Sequence, residues 1–245
     1  MRFGRHKSAW LLLALLLAVS GCAALQDNVG GMLKGGSGGA GTGTLDESTV
    51  AAGLKEALRV GTQNTVLSTS KVDGFLGNAL IRIAIPSQMK PMASALRQAG
   101  FGVQVDELEV GMNRAAELAA GQAREVFWNA ITNMTISDAF GILRGGNRAA
   151  TDFFHERTYD TLRARFHPIV EQKIQEVGLS RLYGRISDTY NSLPLAGAPR
   201  MVDLDEYVTD QSLAGLFTVL ASEEQKIRQD PKARTTELLR RVFGS

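Results

Sequence analysis

The sequence predicts an all-α fold, a multi-helix bundle of one domain, over residues 45–245. Apolar residues in this region recur at helical spacing nearly everywhere. Capping, glycine and proline signals divide the pattern into separate helices. A region of about 200 residues is also long enough to bury one sizeable core without metals or disulfides. One short segment departs from the helical pattern, so a minor two-stranded β ribbon is an optional part of the prediction.

Apolar stripes are the first basis for this fold. One stripe consists of Val126, Phe127, Ala130, Ile131 and Met134, which share a single face of a helix. Three further stripes consist of Leu162, Phe166, Ile169, Val170, Ile174 and Val177; of Leu213, Leu216, Phe217 and Leu220; and of Leu238, Leu239, Val242 and Phe243. Each stripe is wide enough to face a common core.

Helix boundaries are the second basis. Thr135–Asp138 (TISD) fits a capping box, in which the threonine hydroxyl and the aspartate carboxylate bind free N–H groups. Gly145 and Gly146 favour the end of that helix, and Asn147 is suited to cap the next one.

Prolines mark further boundaries. Pro168 lies inside an apolar stripe and lacks the N–H that a helix interior uses, so a kink or a new helix is expected there. His167, just before it, is interpreted as a turn residue. Residues 193–199 (LPLAGAP) form a predicted loop, and Pro231 is predicted to separate the last two helices.

One segment has the pattern of a strand. Leu80–Ile85 (LIRIAI) alternates, with its three isoleucines on one side, and Pro86 ends it. A strand needs a partner, and Met201–Leu204 (MVDL) is the other short extended candidate. A two-stranded ribbon and a pair of extended loops both remain open.

Residues 1–21 are predicted to be an export signal. Three basic residues between positions 2 and 7 precede the apolar run Trp10–Val19. Spanning a bilayer takes about 20 apolar residues, so this run suits a signal-peptide core better than a permanent helix. Val19-Ser20-Gly21-Cys22 resembles the lipobox of bacterial lipoproteins, which implies acylation of Cys22 and cleavage just before it. The alternative is an ordinary cleaved signal followed by an incidental cysteine.

Cys22 is the only cysteine of the sequence, so no disulfide framework is possible, and lipidation explains its presence in an exported chain. Buried acyl chains contribute about 0.8 kcal/mol per methylene, so two or three of them make attachment effectively permanent. Ala23 follows the cysteine, which implies the periplasmic face of the outer membrane under the sorting rule of enteric bacteria. Residues 22–44 are predicted to be a tether, glycine-rich from Gln26 to Thr44.

The charge balance gives no sign of a strongly basic domain. The whole chain has 27 Lys and Arg against 25 Asp and Glu. Three of the basic residues and none of the acidic ones lie in residues 1–21, so the rest carries 24 against 25, a net charge of −1. No nucleic-acid partner is therefore predicted.

Several segments resemble a known family. They are Asp73–Asn78 (DGFLGN), Ile81–Ile83 (IRI), Val105–Glu109 (VDELE), Met112–Ala116 (MNRAA), Ile142–Gly146 (ILRGG), Ala150–Phe154 (ATDFF) and Arg234–Leu239 (RTTELL). Over nearly all of residues 46–244 the chain is similar to the bacterial domain-of-unknown-function family 4197. The resemblance implies an exported helical domain and supplies no activity or catalytic residues. Asn147 stands where the family pattern has an aspartate, and either residue can cap a helix.

Asp152 and His155 are the candidate catalytic residues. With Glu156 and Tyr159 they share one helical face, because they are spaced three or four residues apart. A metal or acid–base site is one interpretation, although the second histidine of an H-E-x-x-H zinc helix is missing. The alternative is a packing role, which the neighbouring Phe153–Phe154 pair favours. No metal and no cofactor are predicted.

Three charged clusters are interpreted as structural. They consist of Asp203, Asp205, Glu206 and Asp210; of Asp106, Glu107 and Glu109; and of Glu223, Glu224, Lys226, Arg228, Asp230, Lys232, Arg234, Glu237, Arg240 and Arg241. The first lacks the glycine and terminal glutamate of an EF-hand calcium loop, so a helix cap by Asp203 is predicted instead. The second is predicted to be the acidic first turn of a helix. The third is interpreted as a solvated helical face, with contact to anionic lipid head groups as the alternative.

The predicted function is that of a non-enzymatic interaction or scaffold module, held on the membrane by its lipid anchor and bound to an envelope protein. No nucleophile elbow, phosphate loop or dinucleotide fingerprint occurs in the folded region. The first alternative is a carrier of an apolar small molecule or lipid, with the bundle interior or the loop 193–199 as its pocket. The second is an envelope-acting hydrolase that uses Asp152 and His155.

Overall fold

The structure is a computed structural model that describes residues 46–176, 178–192 and 202–230, and it consists mainly of α-helices. The helices are α1 (Glu47–Thr69), α2 (Lys90–Gln98), α3 (Gly102–Ala120), α4 (Ala123–Thr132), α5 (Ile136–Arg144), α6 (Ala149–Glu176), α7 (Leu179–Ser192) and α8 (Leu204–Gln229). A 3₁₀ turn, Ser87–Met89, precedes α2. These described ranges contain no strand, and the predicted all-α class is confirmed.

The core lies where α6 and α8 pack against each other and against α1 and α3. The predicted stripes on α4, α6 and α8 face this core, and Phe127, Phe154, Phe166 and Leu213 are fully buried. Phe127 packs edge-on against Phe154, with ring centroids 5.1 Å apart. Each such side chain contributes about 1.5–3 kcal/mol when it leaves water. The predicted stripe at Leu238–Phe243 lies outside the described residues.

Helix α6 runs from Ala149 to Glu176 and includes Pro168 in its interior. Of the two predicted alternatives, a kink or a new helix, the new helix is therefore wrong, and so is the interpretation of His167 as a turn residue. Phe166 and Val170, on either side of the proline, are both fully buried. Their burial offsets the roughly 3 kcal/mol that an interior proline costs, because the core holds the helix where a backbone hydrogen bond is missing.

The segment Leu80–Ile85 is a turn followed by residues without regular secondary structure. Its three isoleucines are buried, as the alternating pattern predicts. The β ribbon is wrong, because Leu204 already belongs to α8 and the side chain of Asn113 takes the place of a partner strand. Asn113 Oδ1 accepts from the N–H of Ile83 at 2.9 Å, and its Nδ2 donates to the Ile83 carbonyl oxygen at 2.8 Å. The alternative of a loop is confirmed.

Two predicted helix starts are confirmed. Asp203 caps α8, where it accepts from the N–H groups of Asp205 and Glu206, both at 3.1 Å. Thr135 and Asp138 form the predicted capping box of α5, which ends before Gly145.

One predicted helix start is wrong. The cluster at 106–109 is not a first turn, because α3 already begins at Gly102. Its carboxylates instead bind arginines from the preceding segment: Asp106 lies 2.6 Å from Arg97, and Glu109 lies 2.7 Å from Arg82. These acidic residues therefore hold neighbouring elements to α3.

Replacing Asp138 by alanine is expected to lower the free energy of unfolding by about 1 kcal/mol at neutral pH, the usual value of a helix cap. The Asp138 carboxylate accepts from the backbone N–H of Thr135 at 3.0 Å, and this bond and the Thr135 hydroxyl hold the pKa of Asp138 below its usual value. Because the folded state has the lower pKa, this stabilisation is complete above about pH 4 and is lost as the pH falls through the lowered pKa. Urea unfolding of the parent and of Asp138→Ala, from neutral pH to about pH 3, measures the effect. A difference in the free energy of unfolding that does not shrink as the pH falls would contradict it.

Gly215→Ala is expected to destabilise the fold by about 1–2 kcal/mol, because the site is already filled. A methyl group on Gly215 would stand 2.5 Å from Phe75 Cε1 and 3.2 Å from Ile81 Cβ. Gly141 in α5 is the matched control, since a methyl group there meets nothing within 4 Å. Gly141→Ala should stabilise the helix by up to about 1 kcal/mol. Thermal unfolding compares the two variants, and a Gly215→Ala protein as stable as the parent would count against this packing.

Candidate functional site

Asp152 and His155 both lie on the exposed side of α6. The His155 ring packs against Tyr159 and Phe217, with ring centroids 4.9 and 4.8 Å away. Asp152 is 71% exposed and lies 3.7 Å from Arg148. His155 thus makes the packing contacts of the alternative interpretation, and among the described residues no hydrogen bond joins it to Asp152.

The acidic cluster at the start of α8 serves the fold. Asp203 is occupied as the helix cap. Arg163 of α6 forms a hydrogen bond with Glu206 and lies 3.6 Å from Asp210. Burial raises the pKa of Asp205, and the carboxylate of Asp203 raises it further. Within the described ranges, no group of three or more His, Cys, Asp or Glu is placed to hold a metal ion.

A buried carboxylate, that of Glu224, joins α8 to the start of α6. It accepts from the N–H of Ala150 at 3.0 Å and from the N–H and hydroxyl of Thr151, both at 2.8 Å. Arg228 donates to Glu224 at 3.0 Å and to the carbonyl oxygen of Ile142, in the last turn of α5, at 2.8 Å. Glu224 and Arg228, here called the Glu224 clamp, therefore connect three helices.

Two predictions about the residues around the Glu224 clamp are wrong. Asn147 is not the cap of α6, because the first free N–H groups of that helix are bound by Glu224. Glu224 and Arg228 do not belong to a solvated face, since their side chains are only 6% and 14% exposed. The members of that cluster from Lys232 onward lie outside the described residues.

A second clamp holds the segment that follows α1. Glu117 of α3 is buried and accepts from the N–H groups of Phe75 and Leu76 at 3.1 and 3.2 Å. Arg114 donates to Glu117 and to Asp73, both at 2.7 Å. Asp73 has a φ of +62°, a left-handed conformation uncommon outside glycine. Arg114 and Glu117, here called the Glu117 clamp, thus hold an unusual turn against α3.

The two clamps bind three of the segments that carry the family resemblance. The Glu117 clamp binds Asp73–Asn78 to α3, and the Glu224 clamp joins Ile142–Gly146 and Ala150–Phe154 to α8. In this chain, backbone groups of these segments form hydrogen bonds with the clamps and so fix the positions of neighbouring helices.

One open groove, about 970 Å³ in volume, lies between α3 and α7 and is called the α3–α7 groove here. Its α3 wall includes Val103 and Val110, which are 66% and 38% exposed. Leu118, 55% exposed, continues the same stripe, because residues seven or eight apart return to one face of a helix. The α7 wall includes Arg181, Arg185 and Asp188. The groove therefore combines exposed apolar side chains with charged groups of both signs.

A second open groove, about 620 Å³ in volume, lies between α1 and α4 and is called the Trp128 groove here. The Trp128 side chain lines it and is 53% exposed. Gln63, Gln122 and Arg124 line it as well. The sequence analysis did not predict this surface. The pattern that could have indicated it is Trp128, which follows Arg124 by four residues and does not belong to the apolar stripe of its helix.

The proposed pocket of an apolar carrier has little room in the described bundle. A cavity lined by Leu54, Leu58 and Leu220 has a volume of about 30 Å³, enough for roughly one water molecule. The other suggested pocket, the loop 193–199, lies outside the described residues.

Cys22 and the tether also lie outside the described residues. Among the described residues, no helix is both long enough and apolar enough to cross a membrane.

The described residues form an all-α domain that includes the α3–α7 groove, the Trp128 groove and the two buried carboxylate clamps. The chain belongs to the family described as protein of unknown function (DUF4197), whose model matches residues 44–244. The resemblance noted in the sequence is thereby confirmed. Comparison with curated proteins gave no match, and neither did comparison with solved structures.

Proposed function

We propose that this chain is a lipoprotein of the bacterial outer membrane whose helical domain is a non-enzymatic interaction module. Support for the anchor comes from the sequence: a basic and apolar start, the lipobox-like Val19–Cys22 and a single cysteine. Nineteen residues of the glycine-rich linker span roughly 25 Å on average. A domain on such a tether meets partners close to the membrane in many orientations.

The observation that supports an interaction role is the exposed apolar stripe of α3, of which Val103 and Val110 line the α3–α7 groove. Val103, Val110 and Leu118 occupy one face of α3 and remain 66%, 38% and 55% exposed. Single exposed apolar residues are ordinary, but an aligned set beside a groove is typical of a protein-binding surface.

The charges of the groove define the partner further. Within the described parts of the chain, four charged residues line the groove without an ion-pair partner: Glu107, Arg181, Arg185 and Asp188. An amphipathic helix of another envelope protein fits this arrangement, since its apolar face would cover the stripe of α3. Its flanking acidic and basic residues would then pair with the two arginines and with Glu107.

Val110→Glu tests this function, because a carboxylate in the centre of the stripe would have to be desolvated by the partner. Ile136→Glu is the control, since Ile136 is 50% exposed on α5 and does not line the groove. The protein would be purified from crosslinked cells and its partners quantified by mass spectrometry. We expect one envelope protein with the parent and the control, reduced about tenfold with Val110→Glu. Recovery of no envelope protein, or equal recovery with Val110→Glu, would contradict the proposal.

A further inference from the structure

We propose that the Trp128 groove binds a saccharide that carries a carboxylate group. This site is separate from the α3–α7 groove, because its walls come from α1, α4 and the turn before α4. Its volume of about 620 Å³ lies within the range of small-ligand sites.

The aromatic ring supplies the stacking surface. Trp128 is 53% exposed, and in the described part of the chain its indole N–H makes no hydrogen bond. A pyranose ring presents a face of C–H groups that matches an exposed indole, while its hydroxyls remain at the rim. The groove thus offers one apolar plane and a free donor at the edge of that plane.

Two neutral amides supply hydrogen bonds of both kinds. Gln63 on α1 and Gln122 before α4 line the groove, and across the described ranges neither side chain has a hydrogen-bond partner. An amide side chain both donates and accepts, as a sugar hydroxyl does. This chemistry differs from the apolar stripe of the α3–α7 groove and favours a polyhydroxylated ligand.

One guanidinium supplies the charge preference. Two other charged groups of the groove are already engaged: Arg59 lies 2.6 Å from Glu56, and Glu125 lies 2.7 Å from Arg165. Arg124 remains without an ion pair among the described residues. It precedes Trp128 by four residues and so shares its face of α4, within reach of a ring stacked on the indole. A carboxylate, like a phosphate, is a group that a free guanidinium binds in bidentate fashion.

Tryptophan fluorescence tests this site directly. The sequence has two tryptophans, Trp10 and Trp128. The proposed cleavage before Cys22 removes Trp10, and Trp10→Phe makes Trp128 the sole reporter in any chain that is not cleaved. This protein, in detergent micelles, would be titrated with tetragalacturonate and with neutral maltotetraose. We expect a saturable change in emission, with an affinity about tenfold higher for the acidic sugar.

Three variants separate the contributions. Arg124→Gln should remove the preference for the acidic sugar, whereas Arg148→Gln, at an exposed arginine outside both grooves, should leave it unchanged. Calorimetry, which needs no tryptophan, should show binding lost with Trp128→Ala and partly kept with Trp128→Phe. Circular dichroism checks that each variant keeps its helix content. The proposal would be overturned by no binding of either sugar, by equal affinity for both, or by binding that survives Trp128→Ala.

Discussion

Glu224→Gln is expected to lower the free energy of unfolding by about 3 kcal/mol, the cost of breaking a buried charged contact. The change keeps the shape of the side chain but replaces one carboxylate oxygen by an NH₂ group. Both oxygens are in use, one for Ala150 and Arg228 and the other for Thr151. Whichever way the amide turns, a donor faces a donor and a buried N–H loses its acceptor. Equilibrium unfolding in urea measures the loss.

The matched control for Glu224→Gln is Glu125→Gln. The chemical change is identical, but the Glu125 side chain is 66% exposed and its pair with Arg165 is solvated. Solvent screens such an exposed pair, so the control should stay close to the parent. Equal losses for the two variants would show that the Glu224 clamp does not hold α5, α6 and α8 together as described.

Glu117→Ala is expected to lower the free energy of unfolding by about 2–3 kcal/mol. It removes the acceptor of two amide N–H groups, those of Phe75 and Leu76, and one of the two partners of Arg114. Phe75 is fully buried, so water cannot simply replace the lost acceptor at its backbone. Urea unfolding gives the overall loss, and hydrogen exchange at the two amides reports the local effect.

Glu117→Gln distinguishes the hydrogen bonds from the charge. Its carbonyl oxygen can still accept from both N–H groups. The new NH₂ group cannot accept from Arg114, but Arg114 keeps Asp73 as a partner, so we expect a loss of only about 1 kcal/mol. Asp106→Ala is the exposed control, because its pair with Arg97 is solvated on both sides. Unchanged exchange at Phe75 and Leu76 in Glu117→Ala would contradict the role given to this clamp.

The helices were predictable because their signals are local. The stripe around Phe127, the capping box at Thr135 and the cap at Asp203 each lie within a few residues of sequence. Predictions failed where contacts distant in sequence decide the outcome. Pro168 lies within a helix because the core packs on both sides of it, and Leu80–Ile85 needs no second strand because Asn113 binds its backbone.

The clamps were not predictable for the same reason. Glu224 binds Ala150 and Thr151, which precede it by 74 and 73 positions in the sequence. The sequence around Glu224 has the alternating charges of a solvated helix. Nothing in that local pattern marks which carboxylate is buried. Glu117 and the turn at Asp73 are likewise far apart in sequence, although both lie in or beside segments that carry the family resemblance.

The candidate sites were predicted less well than the fold. Asp152 and His155 do share a helix face, as their spacing indicates, but the contacts of His155 are with Tyr159 and Phe217. The two grooves arise between helices distant in sequence, α3 with α7 and α1 with α4. Sequence periodicity assigns the faces of single helices and does not show which faces remain uncovered.

The location proposed for this protein depends on the chemistry of Cys22, and the intact mass of the protein extracted from membranes tests it most directly. The expected result is a chain that begins at Cys22 and carries the added mass of two or three acyl chains. Cys22→Ser should abolish both the cleavage and the added mass. A mature N-terminus at residue 22 without acyl chains, or a protein recovered mainly in the soluble periplasmic fraction, would contradict the anchor.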